Sequence, residues 1–196
     1  MENENKQMVS RLRWRWMVVL FLMTLPVVTM AQVYNQLNIL PDRHQLMLDL
    51  QLPDLTGKVK NLYDHRKKVV LLTFFATWCP QCNSELSQLI HVQKKYQQKD
   101  FTIIAVSIDQ DTRKSVQRWV AEKQLNYLVL HDQTYSTRNS HDVSLIPTVY
   151  LLDKNMKLAA KVVGEIDWQS LEAGQLIDSL LAERPDSRAG AESPAL

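Results

Sequence analysis

The chain has 196 residues, of which 45% are hydrophobic and 22% charged, enough apolar material for one packed globular domain. Its four glycines lie far apart, which excludes a P-loop and a dinucleotide-binding fingerprint, because both need clustered glycines around phosphate. The net charge is +2, and after residue 31 the 19 basic and 19 acidic side chains balance. A neutral body without a Lys/Arg cluster excludes general nucleic-acid binding.

The first 31 residues are typical of a targeting segment. Basic side chains end at Arg15, an apolar stretch follows over residues 16–28, and small residues close it. This stretch is shorter than the roughly 20 residues that span a bilayer, and Pro26 weakens a continuous helix. We therefore predict a cleaved signal peptide over residues 1–31, with an uncleaved N-terminal membrane anchor as the alternative. Both would send the rest of the chain across a membrane.

Residues 32–184 are predicted to form the folded domain. Partial alternation over residues 46–52, a turn at 56–58 and the apolar residues that follow predict an N-terminal hairpin. The apolar run Val69–Phe75 predicts a strand covered on both faces. A helix is predicted to begin at Pro80, since proline suits the first helical position.

The second half of the domain continues the alternation of strands and helices. A buried strand is predicted over residues 101–108, a helix over 112–124 and a third central strand over 127–130. A polar connection with a short helix precedes an antiparallel hairpin of two apolar strands. The last amphipathic helix is predicted to include Trp168, and residues 185–196 are predicted to be a disordered tail. This order is typical of an α/β fold.

The chemistry is concentrated at Cys79 and Cys82, which are spaced as Cys-x-x-Cys where the buried strand meets the helix start. Unpaired N–H groups and the helix dipole stabilise a thiolate there, which predicts a nucleophilic Cys79. Cys82, one helical turn further on, can attack the resulting mixed disulfide and release the substrate. The pattern therefore predicts thiol-disulfide exchange.

Two other interpretations of the cysteine pair are a static structural disulfide and a copper or zinc site. A bridge over three positions restrains the unfolded chain little, which disfavours a purely structural role. A metal site would need His131 or His141 beside the thiolates, and neither has the close spacing of a ligand motif. We therefore predict no metal site and no bound cofactor.

Residues 71–85, the tripeptide Ile146-Pro147-Thr148 and the hairpin after it resemble the thioredoxin superfamily, and more narrowly the exported TlpA/ResA-like thiol-disulfide oxidoreductases. Residues 52–58, Leu-Pro-Asp-Leu-Thr-Gly-Lys, are similar to a turn of that family. The resemblance covers roughly residues 46–182. It implies a thioredoxin-like fold, in which helices flank a central mixed sheet and a β-hairpin extends the N-terminus.

The resemblance also implies roles for particular residues. Cys79 matches the attacking cysteine, Cys82 the resolving one and Trp78 the aromatic residue beside them. Pro147 matches the cis-proline that faces the disulfide, and Ile146 matches the residue whose backbone pairs with the substrate chain as an added strand. Together with Glu85, which is predicted to be catalytic, these five positions form the predicted catalytic and substrate-binding site.

Glu85 falls at an acidic position that is associated with tuning the active-site thiols in ResA-like members. The alternative is an ordinary solvated carboxylate in the first turns of the helix. Thr73 stands where thioredoxin has a buried acid, so Glu85, water or another group must assist Cys82 with its proton. Many relatives place proline just before the second cysteine, whereas Gln81 stands there in this chain. The direction of electron flow therefore stays open at this point.

The predicted function is that of an extracytoplasmic thiol-disulfide oxidoreductase that reduces disulfides of exported proteins. The family implies cysteine-containing exported proteins as substrates, with apocytochrome c as one candidate, and a membrane thiol carrier as electron donor. A peroxiredoxin-like peroxidase is an alternative because it shares the fold, although Ala76 stands where its characteristic threonine would lie. A non-enzymatic copper-binding protein is the second alternative.

Overall fold

The computed structural model describes residues 38–39 and 49–185, and every structural statement below concerns these residues. The predicted targeting segment and almost all of the predicted tail lie outside them. The part of the predicted first hairpin strand before residue 49 also lies outside them.

A mixed sheet of six strands forms the centre of the described domain. Its strands are β1 (Asn38–Ile39), β4 (Val69–Phe75), β5 (Phe101–Ser107), β6 (Leu128–His131), β7 (Thr148–Leu152) and β8 (Leu158–Val163). They lie in the order β1-β8-β7-β4-β5-β6; β4 pairs in parallel with β5, and β5 with β6, whereas β4–β7, β7–β8 and β8–β1 are antiparallel. Every residue of β4 is buried, as expected for a central strand with both faces covered. The predicted mixed sheet is confirmed.

Four α-helices accompany the sheet: α1 (Pro80–Tyr96), α2 (Arg113–Glu122), α3 (Ser136–Ser140) and α4 (Leu171–Ala182), with a 3-10 turn at Leu62–His65. α2 and α4 begin where Thr112 and Ser170 accept a hydrogen bond from a first-turn N–H. α1 buries one face, which includes Leu86, Leu89 and Tyr96. Burial of this face fixes how α1 is rotated about its axis.

The N-terminal hairpin pairs β2 (Gln51–Pro53) with β3 (Val59–Asn61). The Asp54 carboxylate closes its turn by accepting hydrogen bonds from the N–H and hydroxyl of Thr56 and from the Lys58 N–H. Gly57 has a φ of +97°, which favours glycine. Asp54 also forms a bridge to Leu130 of β6, so the hairpin covers part of the edge of the sheet.

Two predictions about elements are wrong. β6 is the last strand at one edge of the described sheet rather than a central strand; its apolar character follows from burial of Val129 and Leu130. Trp168 precedes α4 instead of lying in it, because the Ser170 cap begins the helix after that residue.

None of the helices in the described residues combines the length and the apolar character that a membrane span requires.

The topology gathers several loops at one end of the sheet. β4 and β5 are parallel, so the segments after Phe75 and Ser107 leave the sheet at the same end. β7 runs antiparallel to β4, so the segment before Thr148 lies there as well. The cysteine pair, the residues after β5 and the Pro147 loop therefore converge on one site.

Candidate active site

Cys79 and Cys82 are joined by a disulfide at the start of α1. Cys79 is the N-cap residue with an extended backbone, and its sulfur accepts a hydrogen bond from the Cys82 N–H at 3.2 Å. Pro80 occupies the first turn, where its missing N–H costs no helical hydrogen bond. Cys79 is 3% exposed and Cys82 is fully buried. The Cys79 sulfur therefore lies at the N-terminus of the helix, whereas Cys82 is covered within the first turn.

The loop that precedes the cysteines is held by Asp109, which follows β5. Its two carboxylate oxygens each lie 3.1 Å from the Thr77 N–H, and one accepts a 2.7 Å hydrogen bond from the Thr77 hydroxyl. The Ser107 hydroxyl donates to the other oxygen at 2.7 Å. Asp109 is 1% exposed, so these bonds are shielded from water. Sequence reasoning missed this role, although a carboxylate directly after a buried parallel strand was a signal for it.

Pro147 follows a cis peptide bond after Ile146, as the resemblance implied. The Pro147 carbonyl accepts from the Gly164 N–H at 2.8 Å, which ties the loop to the end of β8. The Thr148 hydroxyl donates to the Leu145 carbonyl at 2.6 Å. Thr148 pairs with Phe74 near the end of β4, which brings the proline loop to the same end of the sheet as the disulfide.

Large apolar side chains are exposed at this end of the molecule. Trp78 is 66% exposed, Leu145 65% and Val163 49%. Trp78 directly precedes Cys79, while Leu145 and Val163 flank the proline loop. We refer to these three exposed side chains, Trp78, Leu145 and Val163, as the apolar rim. Such a surface suits contact with another polypeptide.

Glu85 is fully buried, which excludes the solvated alternative. One carboxyl oxygen accepts from the Thr73 hydroxyl at 2.9 Å and the other from the Trp168 indole N–H at 3.3 Å. Burial raises the pKa of Glu85 to about 7, against the lowering effect of these two hydrogen bonds. Glu85 lies three residues after Cys82 on α1, a spacing that places side chains next to each other on a helix. A carboxyl with this pKa can exchange a proton near neutral pH.

The two histidines considered for a metal site have other contacts. His131 Nε2 lies 2.8 Å from the Asp109 carbonyl oxygen, and His141 Nδ1 lies 2.8 Å from the Ser140 hydroxyl. Among the residues that the structure describes, no group of three His, Cys, Asp or Glu side chains is placed to hold a metal ion.

A Cys-x-x-Cys disulfide at a helix start, beside a cis-proline loop on this mixed sheet, defines a thioredoxin-like thiol-disulfide oxidoreductase. Residues 44–161 match the model of the AhpC/TSA family, and the chain belongs to that family.

Individual relatives agree with this class. The chain is 31% identical over 136 residues to the thiol-disulfide oxidoreductase ResA of Bacillus cereus, an alignment that covers 67% of this chain and 78% of the relative. A Chlorobium tepidum structure described as a thiol:disulfide interchange protein DsbE is 30% identical, with a TM-score of 0.66 over 72% of this chain and 99% of that one. A secreted thiol-disulfide isomerase from Corynebacterium glutamicum is 25% identical, with a TM-score of 0.68 over 76% and 93%.

Proposed function

We propose that the protein works outside the cytoplasm and reduces disulfides of other exported proteins through Cys79 and Cys82. The observation that carries the exchange chemistry is the cysteine pair at the start of α1 with the buried Glu85 carboxyl three residues further on. The location is supported by the targeting pattern of residues 1–31 and by the similarity to a secreted isomerase. The direction is supported by the resemblance to ResA-like enzymes.

The reaction begins from the reduced protein. The Cys79 thiolate attacks one sulfur of a substrate disulfide, so that a mixed disulfide forms and the first substrate sulfur leaves as a thiolate. Cys82 then transfers its proton to the Glu85 carboxylate and attacks the Cys79 sulfur. The bond between Cys79 and the substrate breaks, and the second substrate sulfur leaves as a thiolate. The proton held by Glu85 and a second proton from water protonate the two substrate thiolates, so Glu85 returns to its carboxylate form. The substrate has gained two electrons, and the protein ends with the Cys79–Cys82 disulfide.

The remaining site residues hold the substrate. In this proposal the Ile146 backbone before Pro147 pairs with an extended substrate segment as an added strand. Trp78 contributes an exposed apolar surface beside the attacking sulfur. A membrane thiol carrier would return the protein to its dithiol form, since an extracytoplasmic reductase needs electrons from elsewhere.

A trapping experiment tests the substrate class. The full chain carrying Cys82→Ser is produced in its native host, and disulfide-linked partners of Cys79 are identified by mass spectrometry. We expect exported cysteine-containing proteins in the complexes, and none with the matched Cys79→Ser/Cys82→Ser control. Failure of Cys82→Ser to trap exported proteins would overturn the proposal.

The reduction potential tests the direction. Equilibration of the active-site disulfide with glutathione buffers should give a value nearer that of thioredoxin, about −270 mV, than that of the oxidant DsbA, about −120 mV. A value near that of DsbA would contradict the reductase proposal and indicate that the protein oxidises exported thiols.

Two further assays address the alternative classes. Rapid turnover of hydrogen peroxide would favour a peroxidase, and tight copper binding by the reduced protein would favour a copper-binding protein.

N-terminal sequencing tests the location. The mature chain, isolated from the extracytoplasmic fraction, should begin near Gln32. An intact Met1 in the membrane fraction would establish the anchored alternative, and an intact chain in the cytoplasm would contradict an extracytoplasmic role.

A further inference from the structure

The Glu85 carboxyl is held by two donors that come from different parts of the fold. Thr73 lies within the fully buried β4, and Trp168 lies in the segment between β8 and α4. The Trp168 backbone N–H donates to the Gln88 side chain of α1 at 2.9 Å, which fixes the segment against the helix that carries Glu85. Trp168 is 2% exposed and Thr73 fully buried, so water does not compete for these bonds.

The two donors differ in what they allow. An indole N–H can only donate, so the Glu85 oxygen that faces Trp168, Oε2, remains an acceptor in every protonation state. A threonine hydroxyl can donate or accept. Thr73 can therefore donate to Oε1 of the carboxylate and accept from the same oxygen once it carries a proton. Among the described residues, these two are the hydrogen-bond partners of the Glu85 carboxyl.

We propose that Thr73 and Trp168 are positioning residues that direct the exchangeable proton of Glu85 to Oε1 and keep the carboxyl oriented for proton transfer with Cys82. A proton on Oε1 keeps both hydrogen bonds, because only the direction of the Thr73 bond reverses. A proton on Oε2 aimed at the indole would replace its hydrogen bond by a clash between two donors. The inference rests on the proposed function, in which Glu85 accepts the Cys82 proton.

Other ionisable groups around Glu85 come from several elements. Cys79 and Cys82 lie on the same helix start and do not titrate as a disulfide. The exposed Glu165, after β8, raises the pKa of Glu85 by repulsion between like charges. The Tyr127 phenol, before β6, donates to the Leu86 carbonyl at 3.0 Å, and burial raises its pKa. In the disulfide form, Glu85 is therefore the buried group among these whose charge is expected to change between pH 5 and pH 9.

The wild-type protein in its disulfide form gives the first test. The side-chain carboxyl carbon of Glu85 and the indole N–H of Trp168 are followed by NMR from pH 5 to pH 9. We expect both signals to move with one common midpoint near pH 7. A Trp168 indole signal that does not follow the Glu85 midpoint would overturn the inference, and this measurement depends on no substitution.

Substitutions then separate the two donors. Thr73→Val should raise the Glu85 midpoint by about one pH unit, because loss of a hydrogen bond to a charged group disfavours the carboxylate. Thr73→Ser keeps the hydroxyl and should restore the wild-type midpoint. Trp168→Phe should produce a smaller rise, since its bond is longer, while the matched control Trp119→Phe, whose ring stacks on Phe75, should produce none. No shift with Thr73→Val, or equal shifts with both Trp variants, would overturn the inference.

The link to chemistry is tested by the rate at which a mixed disulfide between Cys79 and glutathione is resolved. The acid limb of its pH profile should move with the NMR midpoint, so Thr73→Val should be about fivefold slower at pH 7 and equal to wild type near pH 9. An unshifted profile in a variant with a shifted midpoint would show that Glu85 is not the acceptor, which overturns the positioning role in exchange. The proposed reductase function fails separately, by the trapping experiment and the potential.

Discussion

Asp109 is the residue through which the end of β5 holds the loop in front of the cysteines. Its carboxylate accepts from the Thr77 N–H, the Thr77 hydroxyl and the Ser107 hydroxyl, and it is almost fully buried. Because Thr77 is two residues before Cys79, these bonds help to fix the position of Cys79. Asp109 therefore supports the site although it is far from both cysteines along the chain.

Asp109→Asn should destabilise the oxidised protein by about 1–3 kcal/mol. The amide keeps one acceptor oxygen and turns an NH₂ group toward groups that can themselves donate. Urea unfolding measures the loss. The matched variant Thr77→Val removes a single hydroxyl bond and should cost about 1 kcal/mol. An Asp109→Asn protein as stable as the wild type would contradict this account of the loop.

Glu85 makes stability depend on pH. Burial raises its pKa from the usual 4.5 to about 7, so the folded protein holds this proton more tightly than the unfolded chain. As pH rises from 4 to 8, the unfolded chain gives up the proton first, and the folded state loses stability relative to it.

Glu85→Gln removes this dependence. Relative to the wild type, the variant should gain about 3 kcal/mol in the free energy of unfolding between pH 4 and pH 8, since the shift spans about 2.5 pH units. Chemical denaturation of the wild type and of the variant, each in its disulfide form, measures the free energy of unfolding at the two pH values. A constant difference between the two proteins would mean that Glu85 titrates alike in the folded and unfolded states.

At the scale of elements, the start of α1 sets the reactivity of the two cysteines. The Cys79 sulfur already accepts the Cys82 N–H, and in the reduced protein the same N–H and the helix dipole favour a thiolate. Cys82 has no exposed surface and sits inside the first turn. The start of α1 therefore gives the two cysteine side chains different surroundings, and we expect different reactivities.

Alkylation of the reduced protein at graded pH should show this difference. Cys79 should react with iodoacetamide faster than Cys82 and with an apparent pKa below the usual thiol value of about 8.5. Tandem mass spectrometry locates the label, and the variants Cys79→Ser and Cys82→Ser serve as controls. Faster labelling of Cys82 would reverse the assignment of attacking and resolving residues.

The elements also show which parts of the structure could be read from sequence. β4, β5 and the β7–β8 hairpin were predictable because long apolar runs and a polar turn are local signals. The edge position of β6 was not, because it depends on which strands pair across the sheet, and β6 pairs with β5 alone among the strands of the described sheet. In the site, Glu85 was identified by resemblance, whereas its partner Trp168 is 83 residues away and no local pattern connects them.

At the scale of the whole described domain, the sheet topology brings three of its five exposed large apolar side chains to the end of the sheet that carries the disulfide. The apolar rim comes from three separate segments: the loop after β4, the proline loop and the end of β8. These segments meet because β4 and β7 are antiparallel neighbours and β8 pairs with β7. A protein substrate would contact this rim, whereas a small disulfide needs only the sulfur.

Trp78→Ala should therefore slow exchange with a protein disulfide several-fold more than exchange with glutathione disulfide, because removal of an exposed aromatic side chain weakens docking. Both rates are measured with the same reduced protein. Leu171→Ala, which truncates a similarly exposed side chain at the start of α4, is the control and should leave both rates unchanged. Equal slowing of both reactions by Trp78→Ala would place its effect on the thiols.

The disulfide joins residues only three apart, both already held in place by the first turn of α1. Unfolding and reduction of this disulfide form a closed thermodynamic cycle of four states: folded and oxidised, folded and reduced, unfolded and oxidised, and unfolded and reduced. Around such a cycle, the difference in unfolding free energy between the two redox forms equals the difference in reduction potential between the folded and unfolded chains multiplied by the charge transferred, nF. About 1.4 kcal/mol corresponds to 30 mV for this two-electron couple. Any contact that stabilises one redox form of the fold more than the other therefore also sets the driving force of electron transfer.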